Sequence, residues 1–355
     1  MKPAAILAIL ACGMTAAMWL RLAPALSDAS ASAGLAPGIG LVAGSLIGGG
    51  LIGRRSHKAA LVAGLALLGA ALWRLAMAPA SDMWMRLASG ALGLGVGMAF
   101  LAANAAVSAA ASGSRATALT LLNLPLPVGV LFNPVLSAET MVRATAVLAT
   151  LALAVAASTL MPPMPPMPLG ASAPRETGAG EKRPAISLLA LLLFLFAMCE
   201  AGTWSWMVRY MGAARVLDRE TAWLILSYGL PLGLIVGRAG CWRILVDVAP
   251  LRVARGASFA MAFATALLLL ARSPSAAWTA TFVVGVAMSP ILPIALAVAG
   301  DALGMGIVLA AGWIGLVASS PLIAWLADRS SLPAAMLLLP AVSLGMALVT
   351  MAMRE

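Results

Sequence analysis

MPPMPPMPLGASAPRETGAGEKRP occupies residues 161–184. Proline lacks a backbone N–H and clashes with the preceding helical turn, so no helix runs through this stretch. Its proline-rich start is stiff and extended, and its charged end is solvated. To either side the chain is almost uniformly apolar: of 355 residues, 63% are hydrophobic and 10% charged, with a mean hydropathy of +1.03. Soluble domains run at about 45–50% apolar and about 25% charged. A chain of this composition needs lipid as its solvent, and a spanning helix needs about 20 mostly apolar residues. Such stretches cover residues 4–24, 36–53, 59–78, 84–111, 116–137 and 142–161 before the proline-rich segment. After it they cover 186–210, 221–242, 252–271, 276–299, 304–326 and 332–353.

The reading is an all-α membrane protein of twelve helices. It has an N-terminal six-helix half (1–161), a proline-rich cytoplasmic linker (162–185) and a C-terminal six-helix half (186–355). Most loops are short, which makes sequential helices antiparallel. The net charge of +10 lies largely in these loops and points to a membrane surface, not to nucleic acid. Lys and Arg are more numerous on the side of Lys2, Arg54, Arg55, Lys58, Arg115, Arg243 and Arg252 than on the side of Arg74, Arg86 and Arg143. Both termini and the linker are therefore expected in the cytoplasm, with the chain in the cytoplasmic (inner) membrane. The N-terminal stretch reads as the first span, not as a cleaved signal. Cys12, Cys199 and Cys241 have no metal-ligand spacing, and His57 is the single histidine, so no metal or cofactor is expected.

Glycine is abundant, with 34 residues, and often recurs at four-residue spacing, as in Gly44 and Gly48, Gly93 and Gly97, or Gly229, Gly233 and Gly237. That spacing puts bare backbone on one helix face, which favours close packing in lipid. Polar residues inside apolar helices are costly and count as functional candidates. Glu200 lies deep in its span, so it must face a polar cavity, pair, or carry a proton. A carboxyl that gains and loses a proton can couple transport to a proton gradient. Trp204, Trp206 and Tyr210 follow it and read either as an interface belt or as a stacking surface for a solute. Asn104, Asn123 and Asn133 suit interhelical hydrogen bonds or solute binding equally well. Pro125, Pro127 and Pro134, and Pro290 and Pro293, break backbone hydrogen bonds, so freed carbonyls can line a cavity and the kinks can act in gating.

Several of these residues resemble a known family. Two halves of six spans with a longer central linker is the layout of the major facilitator class. Glu200, then five residues, Trp206, then three residues, Tyr210 resembles the seventh helix of the fucose-permease-like group of that superfamily. GLPLGLIVGR, ending in Gly237 and Arg238, is similar to the group's eighth helix. GVAMSPILPIALA, with Gly285, Pro290 and Pro293, is similar to its tenth. FLAAN at 100–104 and the spacing of Arg115 to Asn123 resemble its fourth and fifth helices. Where fucose permeases carry a glutamate, this chain has Phe100, and Thr120 stands in place of a sugar-contacting glutamine. The superfamily's loop motif is reduced to GLIGRRSHK, with Arg54 and Lys58 kept but Gly53 at the acid position.

The resemblance implies a secondary transporter that moves a small solute by alternating access, with proton coupling through Glu200. The partners expected are the solute, membrane lipid and protons, with no nucleic acid and a monomeric chain. Gly53, Arg54, Lys58, Gly237, Arg238, Pro290 and Pro293 are the expected gating positions. The loop acid helps latch the cytoplasmic side shut in relatives, so with Gly53 that side is expected to rest open. The alternative is a non-transporting sensor or scaffold of the same fold. A lipid-modifying enzyme is a third class, but no catalytic constellation supports it.

Overall fold

The computed structural model describes residues 3–29, 31–77, 82–132, 134–157, 184–214 and 217–353. Asn133 and residues 162–183 of the expected linker lie outside the described residues. Among those described, all regular structure is helical. The first seven helices are α1 (Pro3–Ala29), α2 (Ala31–Arg54), α3 (His57–Met77), α4 (Asp82–Ala110), α5 (Arg115–Leu122), α6 (Pro125–Val130) and α7 (Ala138–Ala157). They are followed by α8 (Ile186–Ala213), α9 (Arg219–Asp247), α10 (Pro250–Leu270), α11 (Pro274–Met288) and α12 (Ile291–Ala299). The chain closes with α13 (Ala302–Arg329), α14 (Leu332–Met336) and α15 (Leu338–Ala352). Among the described residues, ten helical stretches are long and apolar enough to cross a membrane, and Pro3–Met18 is a shorter apolar helix. The expected span over 116–137 is instead two short helices, α5 and α6.

Proline explains the breaks. Pro125 and Pro127 cannot donate to the carbonyls four residues earlier, so the helix turns at Asn123–Leu124. Pro290 and Pro293 do the same between α11 and α12. Helix starts are capped by side chains: Ser114, Asp218, Ser273, Asp301 and Ser331 each accept a hydrogen bond from a backbone N–H three residues on. Asp218 also accepts from the Thr221 hydroxyl, and these bonds, the backbone one first, hold its carboxyl below the usual carboxylate range.

α4 is the centre of the bundle. From Gly95 to Ser108 every residue is buried, as a helix apolar on all sides must be. It lies against α2 and α3, and reaches α1, α5 and α13. α8 packs on α13 and α15, and α9 on α11. The α2–α4 contact depends on missing side chains. A Cβ on Gly93 would lie 2.1 Å from the Pro37 carbonyl oxygen, and one on Gly97 2.5 Å from that of Leu41.

One end of the bundle carries the α2–α3, α4–α5 and α9–α10 connections and is termed here the α2–α3 end. It is closed. Ala116 of α5 is buried in one cluster with Cys241 and Leu245 of α9, Ala254 of α10 and Ile294 of α12. Beside it, α2 meets the start of α13 so closely that a Cβ on Gly49 would lie 3.1 Å from the Ala302 oxygen. The expectation that this end rests open because Gly53 replaces an acid is therefore corrected. Gly53 and Arg54 are exposed and Lys58 is half-buried, while apolar packing between α5, α9 and α12 makes the closure.

Gly93→Ala should lower the apparent melting temperature in detergent, because overpacking costs about 1–3 kcal/mol. Gly50→Ala, whose Cβ would meet nothing within 4 Å, should leave it unchanged. Equal melting of the two variants would contradict the backbone-contact reading of α2 and α4.

Candidate functional site

Arg238 is buried near the middle of α9, at 2% exposure. A guanidinium there needs acceptors, and the proline breaks supply them. In a regular helix the Asn123 carbonyl would accept from residue 127 and the Ser289 carbonyl from residue 293, but both of those residues are prolines. Arg238 Nη1 donates a short hydrogen bond to the Asn123 oxygen. Its Nε donates to the Ser289 oxygen at 3.4 Å. One side chain thus serves two carbonyls that lack their donor four residues on, at two separate helix breaks; the Asn123 oxygen also accepts from the Leu126 N–H at 3.2 Å. Gly237 makes the approach possible, because a Cβ there would lie 2.4 Å from Ser289 Oγ. Pro290 caps α12, and both Pro290 and Pro293 are buried beside this contact.

The α5 side of the arrangement is tied to α4. Asn123 Nδ2 donates to Asn104 Oδ1 at 2.7 Å and to the Leu119 oxygen at 2.9 Å. Asn104 Nδ2 donates to the Phe100 oxygen at 2.9 Å. Both asparagines are fully buried, so their amides join helices in this conformation. Thr120 is also buried, and its hydroxyl donates to the Ala116 oxygen of its own helix. Phe100 packs edge-on against Trp313 of α13, ring centroids 6.2 Å apart, and the Trp313 indole N–H donates to Ser45 Oγ at 2.9 Å.

Glu200 lies in the middle of α8 and is half-buried among buried neighbours. Its carboxylate accepts no hydrogen bond from any described residue, and it interacts electrostatically with Arg238. A carboxylate at that depth is costly unless it faces a polar space, pairs or carries a proton. Trp204, one turn further along the same face, is half-buried too.

The other aromatic candidates are engaged elsewhere. The Tyr210 hydroxyl donates to the Leu269 oxygen at 2.7 Å and ties α8 to α10. Trp206 donates to Ser320 Oγ at 3.1 Å, with the Arg209 guanidinium 5.1 Å from its ring centroid. The structure thus brings Asn104, Asn123, Gly237, Arg238, Pro290 and Pro293 into one layer, with Glu200 coupled to it through Arg238. Gly53 and Arg54 end α2 and Lys58 lies in the first turn of α3, at the connection between them. Sequence reading missed Ser289 and the Asn123 carbonyl as parts of this layer. The signal was a residue four places before a proline, at Asn123–Pro127 and at Ser289–Pro293.

Solved structures share this arrangement of helices over nearly the whole chain. FucP, in the outward conformation, superposes with a TM-score of 0.73 at 18% identity, covering 100% of this chain and 99% of that one. The chain has the major facilitator fold. The human organic anion transporter TETRAN gives a TM-score of 0.75 at 12% identity, covering 98% of both chains. The proton:xylose symporter XylE, bound to 6-bromo-6-deoxy-D-glucose, gives 0.73 at 13%, covering 98% of this chain and 94% of its own. No family model and no curated protein sequence matches the chain. With ten stretches able to cross a membrane, this major facilitator fold is that of a multi-pass membrane protein.

Arg238→Ala should take a donor from the buried Ser289 carbonyl and leave the Asn123 carbonyl with only the Leu126 N–H at 3.2 Å, and so lower the melting temperature clearly. Pro127→Ala returns an N–H to the Asn123 carbonyl. On the Arg238→Ala background it should therefore raise the melting temperature, while on the native background it should not. A double variant no more stable than Arg238→Ala would show that the freed carbonyls are not what Arg238 satisfies.

Proposed function

We propose that the chain is a secondary transporter that moves a small solute across the cytoplasmic membrane by alternating access, coupled to protons through Glu200. In this reading the fold has twelve spans in two halves, 1–161 and 186–355, joined by a cytoplasmic linker over 162–185. α1 and the broken α5–α6 pair complete the first six, and the α2–α3 end is cytoplasmic. The observation that carries it is a half-buried glutamate in the middle of α8, its carboxylate without a hydrogen-bond partner among the described residues, on the far side of a buried arginine layer from a closed end. The α5–α9, α5–α12 and α2–α13 contacts at that end join one half to the other, so opening it needs these surfaces to part.

The names of FucP, a fucose:proton symporter, and of XylE, a proton:xylose symporter, support proton coupling. Sugars and organic anions are accordingly the first solutes to test. Glu200 and Trp204 are the side chains offered to the solute. Asn104 and Asn123 serve to place the arginine layer.

The test is flux in reconstituted vesicles with an imposed pH gradient, after a thermal-shift screen has supplied a solute. Binding to the folded state alone raises apparent stability. Glu200→Gln keeps the shape of a protonated carboxyl and should abolish pH-driven accumulation while leaving solute exchange largely intact. Full accumulation by this variant would remove Glu200 from coupling. Binding without any flux in the native chain would favour a sensor of the same fold.

A further inference from the structure

The bonds of Arg238 belong to both halves of the chain. Ser289 lies in the same half as Arg238, whereas Asn123 lies in the other. Separation of the halves at the α2–α3 end must therefore break the Asn123 bond and leave the Ser289 bond. Nη2 of Arg238 donates to no described residue even now, and the unpartnered carboxylate with which it interacts is Glu200, in its own half. We propose that Arg238 is the positioning residue of the coupling step: it holds Asn123 while the α2–α3 end is closed and turns to Glu200 when that end opens. The inference rests on the transport reading given above.

The surroundings leave this pair isolated. α12, α14 and α15 carry no charged residue, and those of α13 are Asp328 and Arg329 in its last turn. Around α9, the helices α6 and α11 have none, α5 has Arg115 at its first position, and α10 has Arg252 and Arg255 near its start. α8 adds Arg209 beyond Glu200, and α9 itself adds Arg219, Glu220, Arg243 and Asp247 near its ends. Cys199 adjoins Glu200 in sequence and faces Ser343 of α15. With Glu200 neutral, the guanidinium has no rival acceptor and stays on Asn123. With Glu200 ionised, an opposite charge competes for it, and a charge-assisted pair is about twice as strong as a neutral hydrogen bond. Proton loss at Glu200 thus releases the latch between the halves, and closure of the latch commits the guanidinium's donors to Asn123.

The experiment needs no solute. Spin labels on Gly113→Cys in the α4–α5 loop and Gly256→Cys in α10 report the separation of the halves at this end. Both sites are exposed, with open space around them; Cys12 and Cys199 are buried in the main core, and Cys241 in the closing cluster is replaced by alanine so that it takes no label. Distances are measured in lipid nanodiscs across an acid-to-alkaline titration. The native sequence should pass from short to long distances as pH rises, and Glu200→Gln should stay short throughout. Arg238→Gln should lose the pH response. Arg238→Lys keeps the charge but cannot serve two carbonyls as a fork, so it should open at a pH lower by about one unit, a roughly tenfold weaker latch. If Arg238→Gln does not fold, an unshifted midpoint in Arg238→Lys overturns the inference. A native-like response in Arg238→Gln, lost in Glu200→Gln, also overturns it but leaves proton coupling through Glu200 standing. No response in the native chain, or one that survives Glu200→Gln, removes the coupling reading itself.

Discussion

A guanidinium in the middle of a membrane helix costs about 3 kcal/mol on insertion scales unless its donors are met. Arg238 meets that demand with two carbonyls that proline has stripped of their helical donors. The problem and its solution are mutual, because each carbonyl has lost the donor four residues on, and the Asn123 oxygen keeps only the Leu126 N–H beside Arg238. The position of α5 against α9, the close approach at Gly237 and the break between α11 and α12 all follow from keeping these three groups together. The interaction is also directional. It works only while Asn123, held through Asn104 to α4, sits opposite α9.

The rest of the bundle supplies a rigid frame for that contact. Lipid offers no hydrophobic force to drive helices together, so close packing must hold them. α2 and α4 meet backbone to backbone at Gly93 and Gly97, and α9 meets α11 where a Cβ on Gly233 would lie 2.1 Å from the Phe282 oxygen. Such backbone contacts make each pair a close-packed unit, and the proposed motion would fall on the surfaces between units. The cluster of Ala116, Cys241, Leu245, Ala254 and Ile294 is small and apolar, without hydrogen bonds to break. Such a surface can part and re-form at little cost, which suits a gate better than an ion-pair network would. Arg238 then adds to this weak closure the sensitivity to charge that the cluster lacks.

Much of this was legible in the sequence. The proline-rich segment at 161–184 and the apolar runs around it led to an all-helical membrane fold. Glu200 stood out because a carboxylate in fourteen residues of apolar helix has no local partner. The roles of Tyr210 and Trp206 were not legible, since their engagement with Leu269 and Ser320 depends on which helices become neighbours. The state of the α2–α3 end was misread for a related reason. A missing acid at Gly53 is visible in a motif, whereas the residues that close the end are ordinary Ala, Cys, Leu and Ile with no motif to mark them. The arginine layer falls between these cases. Both four-residue spacings to proline could be read directly, but that a single arginine answers both is a fact of tertiary structure.

Native Cys241 offers the most direct test of alternating access at this layer. It is buried in the closing cluster at 5% exposure, while Cys12 and Cys199 are buried in the main core and serve as controls. The measurement is the rate at which a membrane-impermeant maleimide modifies each thiol in sealed vesicles, from the side of the α2–α3 loop and at one fixed pH. Cys241 should react while Cys12 and Cys199 stay protected, and Glu200→Gln should slow it by holding the latch closed. A Cys241 as inert as the two core thiols, or one modified at the same rate in both proteins, would contradict a gate at this end controlled by Glu200.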